Sequence, residues 1–127
     1  MGWRCVMLKI ASVRNTSSPS TEYVQFIVTK NCYLDDFMII DHTYDSDSHK
    51  SNKSRNTYIF PRDWVLEGEI IFLNTGVGTN DNPSEIRSKN PLKGYYDYYW
   101  GLSRCVWNNT GDVATVLRIS KVDSKNV

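Results

Sequence analysis

The sequence lacks the features that mark membrane-spanning, secreted and polyanion-binding chains. Among its 127 residues, no apolar run approaches the ~18 residues that a membrane-spanning helix needs. Residues 1–4 do not lead into the apolar stretch of a secretory signal peptide. The net charge is only +1, so no overall field draws the chain to nucleic acid or to a membrane surface. We therefore expect no membrane insertion, and either an intracellular protein or a domain of a longer chain.

Cysteine and histidine are also scarce. Cys5, Cys32 and Cys105 are far apart, so their spacing fits neither a CxxC metal site nor a disulfide framework. We expect reduced thiols that pack as small hydrophobic groups. The only histidines are His42 and His49, so a Cys–His or Ser–His catalytic pair has little support, and no phosphate loop or HExxH pattern occurs. We therefore expect no enzymatic activity and no bound cofactor.

What the chain does contain is a series of short β-forming segments between turn residues. Hydrophobic residues make up 40% of the chain, which is enough for one core. We predict a single domain over residues 1–127, with its core at about 5–120. The predicted fold class is an all-β, immunoglobulin-like β-sandwich of about seven to nine short strands with two long loops. The clearest predicted strands are 4–14, 22–28, 37–41, 57–60, 69–73, 104–107 and 113–120.

Two polar stretches predict the long loops. Residues 42–56 have almost no apolar content, and a loop from Gly76 to about Gly94 opens with glycine, asparagine and proline. Within the second loop, residues 84–89 fit one short turn of helix. We expect binding to use these loops or an exposed strand edge.

An aromatic segment near residue 100 predicts a β-hairpin corner. Trp100 and Trp107 flank a short polar link, and an Asn-Asn-Thr-Gly-Asp turn then opens a β-branched strand. Such residues build turns and cores and require no ligand. The structural motif comprises Trp100, Trp107, Asn108, Asn109, Gly111 and Asp112. Four apolar residues are predicted to fill the space between the sheets, namely Phe60, Trp64, Leu66 and Trp107.

Five short motifs follow one another in a characteristic order. They are Glu22-Tyr23-Val24, then 34–41 with its Leu-Asp-Asp-Phe start, then 58–61 ending in Phe-Pro, then Leu66-x-Gly68, and the tryptophan block 99–112. This order resembles a lamin tail domain over roughly residues 5–120, and the last block looks most like the prokaryotic members. The resemblance implies an immunoglobulin-like fold and a non-enzymatic binding or tethering module. For the nuclear members it implies chromatin and protein contacts.

Two hypotheses concern macromolecular partners. The resemblance favours a protein or cell-surface component as the partner. A nucleic-acid-binding module is the alternative, because basic and aromatic side chains adjoin before Trp100 and such a mixture neutralises phosphates and stacks on bases. Acidic neighbours at Asp81, Glu85 and Asp97 oppose that role. The candidate binding residues are Arg87, Lys89, Lys93, Tyr95, Tyr96 and Tyr98.

A third hypothesis is a cation-dependent carbohydrate or adhesion module. Asp45, Asp47 and His49 alternate along the first predicted loop, so they are weak candidates for metal ligands. The spacing does not fit an EF-hand, and the basic residues that follow would repel a cation. We expect a solvated loop with no resident metal.

Overall fold

The computed structural model describes residues 7–44, 50–107, 112–120 and 122–126, and of residues 42–44 and 50–55 only the backbone. In this part the chain is an all-β sandwich, as predicted. Its helical elements are a 3-10 turn at Leu34–Asp36 and the short helix α1 at Pro83–Lys89. Its strands are β1 (Leu8–Arg14), β2 (Tyr23–Val28), β3 (Cys32–Tyr33), β4 (Phe37–Tyr44), β5 (Lys50–Ile59), β6 (Trp64–Val65), β7 (Ile70–Asn74), β8 (Tyr95–Tyr99) and β9 (Asp112–Arg118).

The strands form two sheets and a separate two-stranded ladder. The first sheet has the order β1-β2-β7-β8, in which β8 runs parallel to β7 and the other pairs are antiparallel. The second sheet has the antiparallel order β5-β4-β9. Strands β3 and β6 pair with each other in the ladder. Strands β1 and β9 contact each other, which brings the edges of the two sheets together.

Alternating side chains of the strands supply the core. In β2, the side chains of Val24, Phe26 and Val28 are buried while their neighbours are half-buried, which is the period of two expected for a strand with one core face. Phe60 lies at the centre, and its ring meets those of Phe26 and Tyr98 edge to face at 5.6 Å. Each fully buried side chain of this size stabilises the fold by about 1.5–3 kcal/mol.

The prediction of a long loop at residues 42–56 is wrong. Strand β4 continues to Tyr44 and β5 begins at Lys50, and these two residues pair with each other. Strand β5 is the outer strand of its sheet, so a polar sequence can form it through backbone hydrogen bonds alone. Residues 45–49, and with them the candidate ligands Asp45, Asp47 and His49, lie outside the described residues.

The predictions of a strand at residues 104–107 and of a hairpin corner around it are also wrong. Strand β8 pairs with β7, and β9 pairs with β4, so the tryptophan-containing link carries the chain from one sheet to the other. The backbone N–H groups of Val106 and Trp107 donate to the Glu22 carboxylate instead of to a neighbouring strand. Trp107 is buried, and its ring centre lies 6.2 Å from that of the half-buried Trp100. The turn residues Asn108, Asn109 and Gly111 lie outside the described residues, and Asp112 begins β9.

Helix α1 belongs to the crossover between the parallel strands β7 and β8. Such a connection must carry the chain back along the sheet, and a helix commonly does so. The Asn82 side chain caps the helix by accepting from the backbone N–H of Glu85 at 3.3 Å, and Pro83 follows at the first helical position. The short helical turn predicted at 84–89 is thereby confirmed. In the described part of the chain, no helix is long and apolar enough to cross a membrane.

Candidate binding surface

The tyrosines predicted to stack on bases point in opposite directions. They lie on β8, whose side chains alternate between the core and the outer face. Tyr96 and Tyr98 are fully buried, and the Tyr98 hydroxyl donates to Asp63 at 2.7 Å. Burial and this bond raise the pKa of Tyr98. Tyr95 is 43% exposed, so of the three it alone presents a ring to solvent.

Arg87 lies in an internal polar cluster. Its guanidinium donates to Glu69 at 2.9 Å and to the backbone oxygen of Trp64 at 2.8 Å, and only 20% of the side chain is exposed. The Tyr96 hydroxyl donates to the other oxygen of Glu69, and the backbone N–H of Leu66 donates to the first. Burial, with the bond to Glu69, raises the pKa of Tyr96 to about 12. Arg87 therefore ties α1 to the strands beneath it, a contact that the local sequence does not reveal.

Lys89 and Lys93 complete the predicted basic set, and each lies beside a carboxylate. Lys89 is 74% exposed and pairs with Glu85 at 2.8 Å, one turn earlier on α1. Lys93 lies 3.5 Å from Asp81, and its ammonium is 4.7 Å from the centre of the Tyr95 ring. The solvent-facing part of the predicted nucleic-acid site is therefore small.

Glu22 is the most deeply buried acid among the described residues, and groups of the fold itself supply its hydrogen bonds. Its carboxylate accepts from the Thr75 hydroxyl at 2.8 Å and from the backbone N–H groups of Val106 and Trp107 at 2.7 and 3.3 Å. Burial and the nearby Glu22 raise the pKa of the Cys105 thiol. Cys32 and Cys105 are free thiols, as expected, while Cys5 lies outside the described residues. Among the described residues, no group of three or more His, Cys, Asp or Glu could hold a metal.

Three exposed side chains form a continuous strip on the β3–β6 ladder, which we call the aromatic strip: Arg62, Tyr33 and Trp64. Tyr33 and Trp64 are direct cross-strand partners, 37% and 42% exposed, with ring centres 4.8 Å apart and planes inclined at 61°. The Arg62 guanidinium lies 4.0 Å from the centre of the Tyr33 ring. The prediction that Trp64 fills the core is therefore wrong. Its neighbour Val65 points inward, because successive strand residues face opposite sides.

The ladder that carries the aromatic strip packs against the core on its inner face. Cys32 and Val65, on the inner face of the ladder, are buried in the core. The backbone N–H of Leu34 donates to the backbone oxygen of Asp63 at 2.9 Å, which extends the pairing beyond β3 and β6. Together with the bond from Arg87 to the Trp64 carbonyl, these contacts hold the backbone that carries the two exposed rings.

The two sequence segments that carry the aromatic strip are acidic. Segments 30–36 and 61–67 hold two basic and four acidic residues, a net charge of −2 in a chain of net charge +1. Arg62, one of the two basic residues, pairs with Asp35 at 3.4 Å. The charged residues are Lys30, Arg62, Asp35, Asp36, Asp63 and Glu67.

No protein-family model matches this chain, and no curated protein matches it either.

Proposed function

We propose that this protein is a non-enzymatic binding module of lamin-tail type, which attaches to a protein partner through the aromatic strip. The observation that carries the proposal is the exposure of Tyr33 and Trp64, with Arg62 stacked on Tyr33, on a ladder fixed by the core. Tryptophan, tyrosine and arginine are the residue types that dominate the binding energy of protein interfaces. The motif order of the sequence supports the lamin-tail part of the proposal.

The energetics favour a partner at this surface. Covering the exposed two-fifths of two aromatic side chains contributes roughly 1–2 kcal/mol from apolar area alone. Because the ladder is already ordered, little conformational entropy is lost when a partner binds to it. A few such residues are enough to anchor a standard protein interface.

A displayed-peptide selection against the folded protein tests this function without assuming a ligand. We expect enriched peptides that lose binding to Trp64→Ala and to Tyr33→Ala. The matched control is Tyr95→Ala, which removes an equally exposed tyrosine from a different surface. Peptides that bind the Trp64→Ala protein as well as the parent would contradict the proposal.

A nucleic-acid-binding module remains the second candidate, favoured by one observation. The Lys93 ammonium lies over the exposed Tyr95 ring, so a cation and a stacking surface adjoin. A salt titration with generic DNA tests it, using Lys89→Ala/Lys93→Ala because replacing Arg87 would also disturb the fold. Salt-sensitive binding that this double variant abolishes would support the candidate. The absence of binding at low salt would eliminate it.

A further inference from the structure

We propose that the partner segment of the aromatic strip is basic: an extended peptide segment whose arginine or lysine side chain lies on the Trp64 indole. This inference rests on the proposed function and adds the chemistry of the partner to it. Two independent features carry it, the arrangement of the rings and the charge around them.

The ring arrangement already shows the strip binding one cation. The Arg62 guanidinium lies 4.0 Å from the centre of the Tyr33 ring, within the range of a cation–π contact. Trp64 lies beside Tyr33 and is more exposed. Indole is the strongest of the aromatic acceptors for a cation, so the second ring of the strip can hold a partner's cation in the same manner.

The charge of the surroundings complements such a partner. Asp35 is engaged by Arg62. Arg118 lies near Asp36, since both charges act on the Cys32 thiol and the backbone N–H of Ile119 donates to the backbone oxygen of Asp36. The carboxylates of Asp63 and Glu67 are left against Lys30. The Asp63 carboxylate accepts a hydrogen bond from the buried Tyr98, so it contributes negative charge and not a contact to the partner. A basic segment lying across the strip therefore meets a net negative surface, which both steers the encounter and selects against acidic partners.

The same features disfavour the other occupants. A nucleic acid brings phosphates to a surface of negative charge. A polyproline segment inserts its rings between separated aromatic side chains, but the Tyr33 and Trp64 ring centres are 4.8 Å apart, so the two rings fill that space themselves.

Fluorescence anisotropy with labelled glycine–serine peptides tests the proposal. The peptides carry several arginines, lysines, glutamines or glutamates and are otherwise identical. We expect the arginine peptide to bind best, the lysine peptide next, and the other two not measurably. Trp64→Ala is expected to lower the affinity for the arginine peptide by about 3- to 30-fold, and Trp64→Phe is expected to lower it by less. Tyr95→Ala serves as the aromatic control and should leave the affinity unchanged.

A second pair of variants separates local from overall charge. Asp36→Asn/Glu67→Gln removes two carboxylates from the segments that carry the strip and should lower the affinity for the arginine peptide. Glu85→Gln/Asp123→Asn removes two carboxylates elsewhere and should not. Equal loss in both pairs, or arginine-peptide binding that survives Trp64→Ala, would overturn the proposal. If the displayed-peptide selection yields Trp64-dependent peptides that are not basic, the binding function stands and this inference fails. If no peptide depends on Trp64, both fail.

Discussion

Replacing Glu22 by glutamine is expected to destabilise the protein strongly, although the two side chains have nearly the same size and shape. The carboxylate is fully buried and accepts three hydrogen bonds, from Thr75, Val106 and Trp107. Two of the donors are backbone N–H groups of the link between β8 and β9. The described part of that link, residues 100–107, forms no strand, so the carboxylate takes the place of a strand partner for it.

The magnitude follows from what glutamine can offer in the same space. Its amide oxygen can replace Oε1, which serves Thr75 and Val106, but its NH2 group would then face the N–H of Trp107. One buried donor loses its acceptor, and the two remaining bonds lose their charge assistance. We expect a loss of about 2–4 kcal/mol in the free energy of unfolding.

Urea unfolding followed by far-ultraviolet circular dichroism measures this loss. The expected change moves the urea midpoint of Glu22→Gln down by roughly 1–2 M at unchanged slope. Glu85→Gln is the matched control, because it makes the same chemical change on an exposed carboxylate of α1. A midpoint for Glu22→Gln that coincides with that of Glu85→Gln would refute the structural role of Glu22.

The remaining predictions concern three other positions. Arg87→Lys should lower the free energy of unfolding by about 1–3 kcal/mol in the same urea assay, because one ammonium cannot bridge Glu69 and a backbone carbonyl as the guanidinium does; unchanged stability would contradict this. The pKa of Tyr96, raised from 10.0 to about 12, means that its contribution to stability is complete below pH 10 and is lost as the pH rises toward about 12. Urea midpoints across that range should therefore fall less steeply in Tyr96→Phe than in the parent, and equal slopes would contradict the shift. Gly76→Ala would place a Cβ 3.0 Å from the backbone oxygen of Pro19, so it should lower the melting temperature, reflecting a cost of about 1–3 kcal/mol; an unchanged melting temperature would contradict that close approach.

The parts of the fold that follow from local pattern could be predicted from the sequence. A run of β-forming residues identified β2, and an apolar run identified β7; in the structure each strand has one face in the core. The helical turn at 84–89 was predicted, whereas Asn82 and Pro83, interpreted as loop residues, are the capping residue and the first-turn proline of α1.

The parts of the fold that depend on contacts between distant residues could not be predicted from the sequence. The link at 104–107 has the composition of a strand, but Glu22, more than eighty residues earlier, takes up its N–H groups. The polar strand β5 exists because β4 pairs with it, and composition does not show pairing.

The aromatic strip was missed for a related reason. A two-residue strand such as β6 has no periodicity, so the sequence cannot decide whether Trp64 or Val65 faces the core. Because Trp64 is the larger apolar side chain, it was predicted to face the core. In the structure β6 pairs with β3 in such a way that Val65 is buried and Trp64 is exposed.

Backbone amide chemical shifts, recorded as the arginine peptide is added, show whether the peptide binds to the aromatic strip. The shifted amides should cluster on β3 and β6, around Tyr33 and Trp64, and the cluster should disappear in Trp64→Ala. Shifts centred on Lys89, Lys93 and Tyr95 instead, or spread evenly over the acidic surface, would contradict binding at the strip.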